Sequence, residues 1–324
     1  MSDFYPFGLL AGLWLVAFCL DQLLGETPCF HPLAGFGRLA GWLEKRLNSG
    51  PSKRYVTLAG MVAGIVAWCV MVLPPVLLTH WIGSFLAAQS LWLFWGFSVL
   101  VLYLAIAWRS MAEHVIPIVV ALSGQDLEEA RRRLGYIVSR DTQELTAAQI
   151  LTATLETTLE NCSDAFFASL FWCAVAGPAG VVLHRLSNTL DAMWGYRSAR
   201  FLHFGHWSAR VDDVLNFIPA QLTAGSFALL SAKRVVWQCW WRQGWHWKSI
   251  NAGSVMAAGA AALGIELGGA ARYHDQQVIR PALGAGRSPE PADVGRAMKL
   301  VFGVFTLWLA VLLVLGGLYS AING

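Results

Sequence analysis

The sequence predicts an all-α, polytopic membrane protein with about four clear transmembrane helices, two to three buried or re-entrant helices and a cytoplasmic helical insertion. Three observations carry this. Of the 324 residues, 56% are hydrophobic and 13% are charged, where an ordinary soluble domain carries roughly 25% charge. Uncharged runs near the length that a bilayer requires, about 20 residues, occur at 4–20, 56–79, 81–108 and 300–323 and are rich in Leu, Val, Phe and Trp. Three further runs, 165–183, 214–232 and 249–265, are rich in Gly, Ala, Ser and Pro, which suits helices packed in a bundle or broken around a cavity better than helices facing lipid. The net charge of +3 is spread along the chain without a basic stripe, so nucleic acid is excluded as a partner and membrane lipid is the expected surrounding.

Taken in order, the first run follows an acidic residue, with no basic cluster and no small-x-small cleavage site, and reads as a retained first helix rather than a signal peptide. The 25–54 link carries Arg38, Lys45, Arg46, Lys53 and Arg54, whereas the link near His80 carries no Lys or Arg, so the positive-inside rule places 25–54 in the cytoplasm. Segment 109–164 returns there with Arg109, Arg131, Arg132, Arg133 and Arg140, and reads as soluble helix. Within it SGQD (123–126) and TAAQ (146–149) fit the pattern of a helix-capping box. A full crossing by 165–183 would leave Arg185, Arg197, Arg200 and Arg210 outside, against the rule. Either 165–183 and 214–232 re-enter around a polar pocket open to the cytoplasm, or function overrides the rule. The Gly-, Pro- and charge-rich 266–299 stretch reads as a cytoplasmic loop, and 1–324 as a single integral-membrane domain. No internal repeat is evident, which argues against an inverted-repeat transporter.

The six cysteines lack metal-ligand spacing and read as single buried thiols, and His203 with His206 lacks a third ligand. Polar residues concentrate between 139 and 222, in SRDT (139–142), ETTLENCSD (156–164), NTLDAMWGYR (188–197) and FGHWSARVDDVLNFIPAQL (204–222). Ionisable groups beside apolar helix are costly unless paired or functional, so this region is the predicted active site. Glu156, Glu160 and Asp164 recur every four residues with no Lys or Arg at helical spacing, and such like charges need a cation. Mg2+ is the natural one, because hard oxygen ligands suit it. Asp212 and Asp213 point different ways on a helix, so one binds while the other caps or pairs, for instance with Arg210. Arg197 and Arg210 suit bidentate holding of phosphate or carboxylate. Neither a P-loop nor a strand-flanked dinucleotide fingerprint is present, and the Gly/Ala-rich 249–273 stretch suits close helix packing better than a phosphate loop.

These clusters, in this order and over nearly the whole chain, resemble the CobD/CbiB family of adenosylcobinamide-phosphate synthases. LDQLLGETPCFHPLAGFGRL (20–39) is similar to that family's opening motif, and SRDTQEL, ETTLENCSD, LFW, NTLDAMWGYR, the AR-x-DD-x-x-N stretch and ALGIELGG follow. The resemblance implies a multi-pass enzyme of the bacterial inner membrane with its site facing the cytoplasm. It further implies ATP- and Mg2+-dependent joining of a corrinoid substrate, adenosylcobyric acid, to (R)-1-amino-2-propanol O-2-phosphate or ethanolamine phosphate, beside other late cobalamin-pathway membrane enzymes. Carried over by position, Glu156, Asp191, Asp141 and Asn161 are the expected catalytic residues, with Glu156 or Asp191 as base. Arg140, Asn188, Tyr196, Arg197, Arg210 and Asn251 are expected to hold substrate or phosphate, and Glu160, Asp164, Asp212 and Asp213 the metal. The chain departs from the usual motifs at Glu26–Thr27, Ser139, Ser169, Gln221, Ile250, Ser254 and Met256, where Met256 replaces a Glu. A non-catalytic membrane sensor and a corrinoid or anion transporter are the competing function classes.

Overall fold

The computed structural model describes residues 7–26, 32–48, 56–273 and 276–323. The Thr27–His31 part of the opening motif, with Cys29, and Lys53 and Arg54 lie outside the described residues. Twelve helices and one hairpin are described: α1 (Phe7–Leu24), α2 (Pro32–Leu47), α3 (Val56–Gln89), α4 (Leu91–Tyr103), α5 (Trp108–Ser123), α6 (Leu127–Leu134), α7 (Ala147–Asn161), α8 (Ala168–Trp194), α9 (His206–Ser231), α10 (Arg234–Arg242), α11 (Ile250–Leu263), β1 (Glu266–Tyr273), β2 (Gln276–Gly284) and α12 (Ala292–Asn323). The all-α membrane class is observed. Six helical stretches, Phe7–Leu24, Leu58–Gln89, Leu91–Ser123, Ala147–Trp194, His206–Ser231 and Ala292–Ile322, are long and apolar enough to cross a membrane.

Several boundaries differ from expectation. The helix expected to stop near His80 continues to Gln89 despite Pro74 and Pro75. The break falls at Ser90, whose hydroxyl accepts from Trp92 N and caps α4. Residues 165–183 lie within the 48-residue apolar stretch Ala147–Trp194. A π-helical turn at Cys162–Phe167 joins α7 to α8, and Gly177 (φ 60°, ψ −154°) kinks α8 just before Pro178. Of the two capping motifs, Thr146 and Gln149 form the full reciprocal box, whereas Ser123 ends α5 and Asp126 caps α6 instead. Residues 266–284, expected within a loop, form the antiparallel β1–β2 hairpin. Its glycines read as breakers, yet Gly268 (φ 88°) and Gly269 (φ 75°) supply the left-handed backbone of a bulge in β1. Cys162, Cys173 and Cys239 are buried and Cys69 is half-buried, but Cys19 is exposed, on the same outward apolar side of α1 as Leu15 and Leu23.

The chain divides into two compact units, Met1–Ala107 with Ala168–Asn216 and Leu312–Gly324, and Trp108–Phe167 with Phe217–Val311. In the first, α2, α3, α8 and the 195–205 loop meet in a core of Ala40, Ala67, Trp68, Met71, Leu190, Trp194 and Phe204. Gly64 allows α3 to touch the loop, for a Cβ there would run into the Phe204 carbonyl. In the second, Ile118, Ala130, Leu134, Leu145, Ile150 and Ala153 join α5, α6 and α7. There α11, whose residues Asn251–Ala261 are all buried, comes so close to α7 that a Cβ on Gly259 would crowd Leu159. At about 21 Å α11 is too short to cross a bilayer. Thr146→Ala is expected to cost about 1 kcal/mol and Gly64→Ala more than that, read as thermal unfolding of the detergent-solubilised protein.

Candidate functional site

In the first unit, α8 and α9 face each other through two polar stripes. His184, Asn188 and Asp191 fall at i, i+4 and i+7 on α8, and Asp212 and Asn216 at i and i+4 on α9. Asn188 Nδ2 donates to Asp212 Oδ1 at 3.2 Å. Asn216 Nδ2 donates to the same oxygen at 2.9 Å and its amide oxygen meets His184 Nε2 at 2.9 Å. Asp212 is only 8% exposed, and its hydrogen-bond partners among the described residues are these two neutral amides. Asp191 and Asp213 both act on it as like charges, and the exposed Asp213 itself interacts with Arg210 and Arg197. Pro219 leaves no N–H for the Leu215 carbonyl, and the Trp172 indole fills that gap at 3.0 Å, tying α8 to α9 beside the stripe.

The loop carrying Tyr196 and Arg197 starts at Gly195, where a Cβ would strike the Asp191 carboxylate. It is held by Arg200, whose Nε and Nη2 donate to Glu44 Oε1 and Oε2 at 3.0 and 2.7 Å, while Asn48 Nδ2 bonds Glu44 Oε1 and Arg200 O. Burial pushes Glu44 up, but the Arg200 and Asn48 bonds and the Arg200 charge outweigh it and hold the carboxyl below its ordinary value.

In the second unit, Glu156 is not the unpaired head of a carboxylate stripe. Its Oε2 accepts from Arg280 Nη1 at 2.8 Å and Arg140 Nη2 at 3.2 Å, and its Oε1 from Gly268 N at 3.2 Å. The three side chains are 6%, 13% and 9% exposed for Glu156, Arg280 and Arg140. The countercharges thus come from 16 and 124 residues away, where helical spacing cannot reveal them. The repeat of four also breaks, because Asp164 sits inside the π-helical turn. Glu160 and Asp164 are half-buried, Asn161 and Asp141 exposed, and Asn251 buried in the first turn of α11. Asp141 Oδ1 accepts from Gln143 N at 2.9 Å, which fixes the turn after Arg140. Of the expected metal residues, Asp212 and Asp213 belong to the first unit, Glu160 and Asp164 to the second. Within neither unit do three His, Cys, Asp or Glu among the described residues group to hold a metal ion, His203 and His206 included.

Sequence reasoning missed Arg280, Gly268, His184, Asn216 and Glu44. Asn216 lay four residues after Asp212, and extending the Asn188/Asp191 face back one turn reaches His184, so both had a local signal. Arg280 and Glu44 had none.

The family described as CobD/Cbib protein matches residues 14–301. The cobalamin biosynthesis protein CobD of Stutzerimonas stutzeri is 49% identical, covering 94% of this chain and 97% of its own. That of Chromobacterium violaceum is 46% identical over 95% and 97%. The cobalamin biosynthesis protein CbiB of Salmonella typhimurium is 32% identical over 93% and 95%. No solved structure matches the chain.

Glu156→Ala strands two buried guanidinium groups and is expected to cost about 3–5 kcal/mol, measured by unfolding. The Glu44–Arg200 tie obeys an acid's sign: with the folded value lowered, its stabilisation is complete above the ordinary value of 4.5 and is lost as pH falls through the folded value. A spin label at Ser198 should therefore gain mobility below pH 4.5 in the wild type and already be mobile at neutral pH in Glu44→Gln.

Proposed function

The chain belongs to the CobD/CbiB family, and from that membership we propose that it works in cobalamin biosynthesis as an ATP- and Mg2+-dependent amide ligase. It would join the free propionate carboxylate of adenosylcobyric acid to the amine of (R)-1-amino-2-propanol O-2-phosphate or ethanolamine phosphate, in a bacterial inner membrane with the site facing the cytoplasm.

The observation that carries the reading is what holds Asp212. Glu44, Glu156 and Asp293 are buried carboxylates, each hydrogen-bonded to arginine. Asp212 is also buried but braced by two neutral amides, with Asp191 acting on it as a like charge. A desolvated pair of carboxylates without a guanidinium partner is receptive to a cation. Mg2+ is held through one or two carboxylates together with substrate phosphates and water rather than in an all-protein cage, so this donor set fits it without a third acidic ligand. Asp212 would hold the ion, together with substrate phosphates and water, and the ion when bound would neutralise phosphate charge. Arg197 and Arg210, exposed beside Asp213, would grip the phosphoryl groups.

Amide formation needs the carboxylate activated, as an acyl phosphate, and a base to take a proton from the ammonium so that the free amine attacks the acyl carbon and phosphate leaves. Glu156, with both oxygens engaged by cations and an amide, is poorly suited to accept that proton. The base role therefore falls to Asp191, and Glu156 with Arg140 and Arg280 anchors the hairpin instead. The test is ligation by purified, detergent-solubilised protein given adenosylcobyric acid, either amine, ATP and Mg2+. Wild type should form amide, and folded Asp212→Asn should lose at least about a hundredfold, or roughly 2.7 kcal/mol of barrier. No product with either amine, and no ATP turnover, would leave the family's sensor-like alternative standing.

A further inference from the structure

The hydrogen-bond chain behind Asp212 has a direction. A carboxylate oxygen only accepts, so the Asn216 group facing Asp212 at 2.9 Å is its NH2, and its carbonyl oxygen faces His184 Nε2 at 2.9 Å. His184 must then be the donor, with its proton on Nε2 and its lone pair on Nδ1. The ring is 0% exposed, and Nδ1 is buried with no hydrogen-bond partner among the described residues. A buried polar ring that satisfies only one of its two nitrogens is a poor packing element, since an apolar side chain of similar size would leave nothing unsatisfied.

We propose that His184 and Asn216 are positioning residues that set which oxygen of Asp212 is offered to a divalent cation, a deepening that rests on the ligase reading above. The terminal torsion of an asparagine amide is nearly two-fold symmetric, so on its own Asn216 could turn over. With His184 Nε2–H in place the flipped amide would set donor against donor at the histidine and oxygen against oxygen at Asp212. Only one orientation keeps both bonds. That orientation places two amide donors, Asn188 and Asn216, on Oδ1 alone, which fixes the rotation of the carboxylate and leaves Oδ2 for the cation. Without the histidine donor the amide is free to turn its oxygen toward Asp212 and repel the very group it now steadies.

The experiment titrates Mn2+ into the purified full-length protein, with bound ion followed by electron paramagnetic resonance, for wild type, His184→Leu and His184→Gln. Thermal unfolding checks that each is folded, and ligation kinetics are run in parallel. Leucine keeps the bulk and loses the donor; glutamine keeps an N–H at a similar reach. Outer partners of metal ligands are typically worth about 10–100-fold in affinity or activity. His184→Leu should accordingly weaken Mn2+ binding at least about tenfold, and His184→Gln should recover to within about threefold of wild type, with ligation rates following the same order. Wild-type binding that neither variant alters, or that both weaken equally, would overturn the inference while leaving the ligase reading intact. A wild type with no saturable Mn2+ binding would overturn the metal site of that reading, and this inference with it.

Discussion

A carboxylate buried among apolar helices must find its partners inside the protein, and that requirement dictates where several elements of this chain meet. The hairpin is fastened to α7 because Glu156 needs Arg280 and the Gly268 N–H. The N-terminus of α12 is organised around the fully buried Asp293, which takes bonds from Arg287, Arg296 and Glu290 N. The 195–205 loop lies against α2 because Glu44 takes both arms of Arg200. In each case desolvation is offset by a guanidinium whose planar fork matches the carboxylate. Truncating one partner leaves a charge that water cannot reach.

Close approach is the second requirement, and glycine meets it. An acceptor such as the Phe204 carbonyl can lie against α3 only where the helix has no side chain, at Gly64. A bulge that turns a backbone N–H toward Glu156 needs a residue at φ 88°, and a Cβ there would meet the Pro281 carbonyl. Glycine content that suggested helix packing and loops thus serves a second end, which is bringing backbone donors and acceptors to buried side chains.

Local information therefore reads well in this sequence and long-range information does not. The apolar runs and the Thr146 box follow from spacing alone. So does the pairing of Asp212 with Asn216, once the i, i+4 rule is applied beyond the acidic residues. Glu156 was misread as unpaired because a helical face shows only neighbours on the same helix. Arg140 reaches Glu156 from the preceding loop and Arg280 from the hairpin, and neither position carries a mark of its destination. The end of α3 was misplaced for a related reason: the edge of an uncharged run marks a change of polarity, not the end of a helix, and α3 passes His80 and ends at Gln89.

The departures from the family pattern in α11 follow from the same physics. Met256, where the resemblance leads one to expect a Glu, is 4% exposed in a helix with no ionisable side chain from Ile250 to Leu263. A carboxylate at that depth would demand a cation or several donors; a flexible thioether demands only volume, which Met fills well. Ser254 is fully buried, and Gly244 packs so closely on this turn of α11 that a Cβ on the glycine would touch the Ser254 backbone. Small residues on α11 and a neutral residue at 256 suit a helix whose residues Asn251–Ala261 are all buried. Whatever charge the proposed chemistry uses must come from outside α11, and Asp212, braced by amides rather than by arginine, is one group that can supply it.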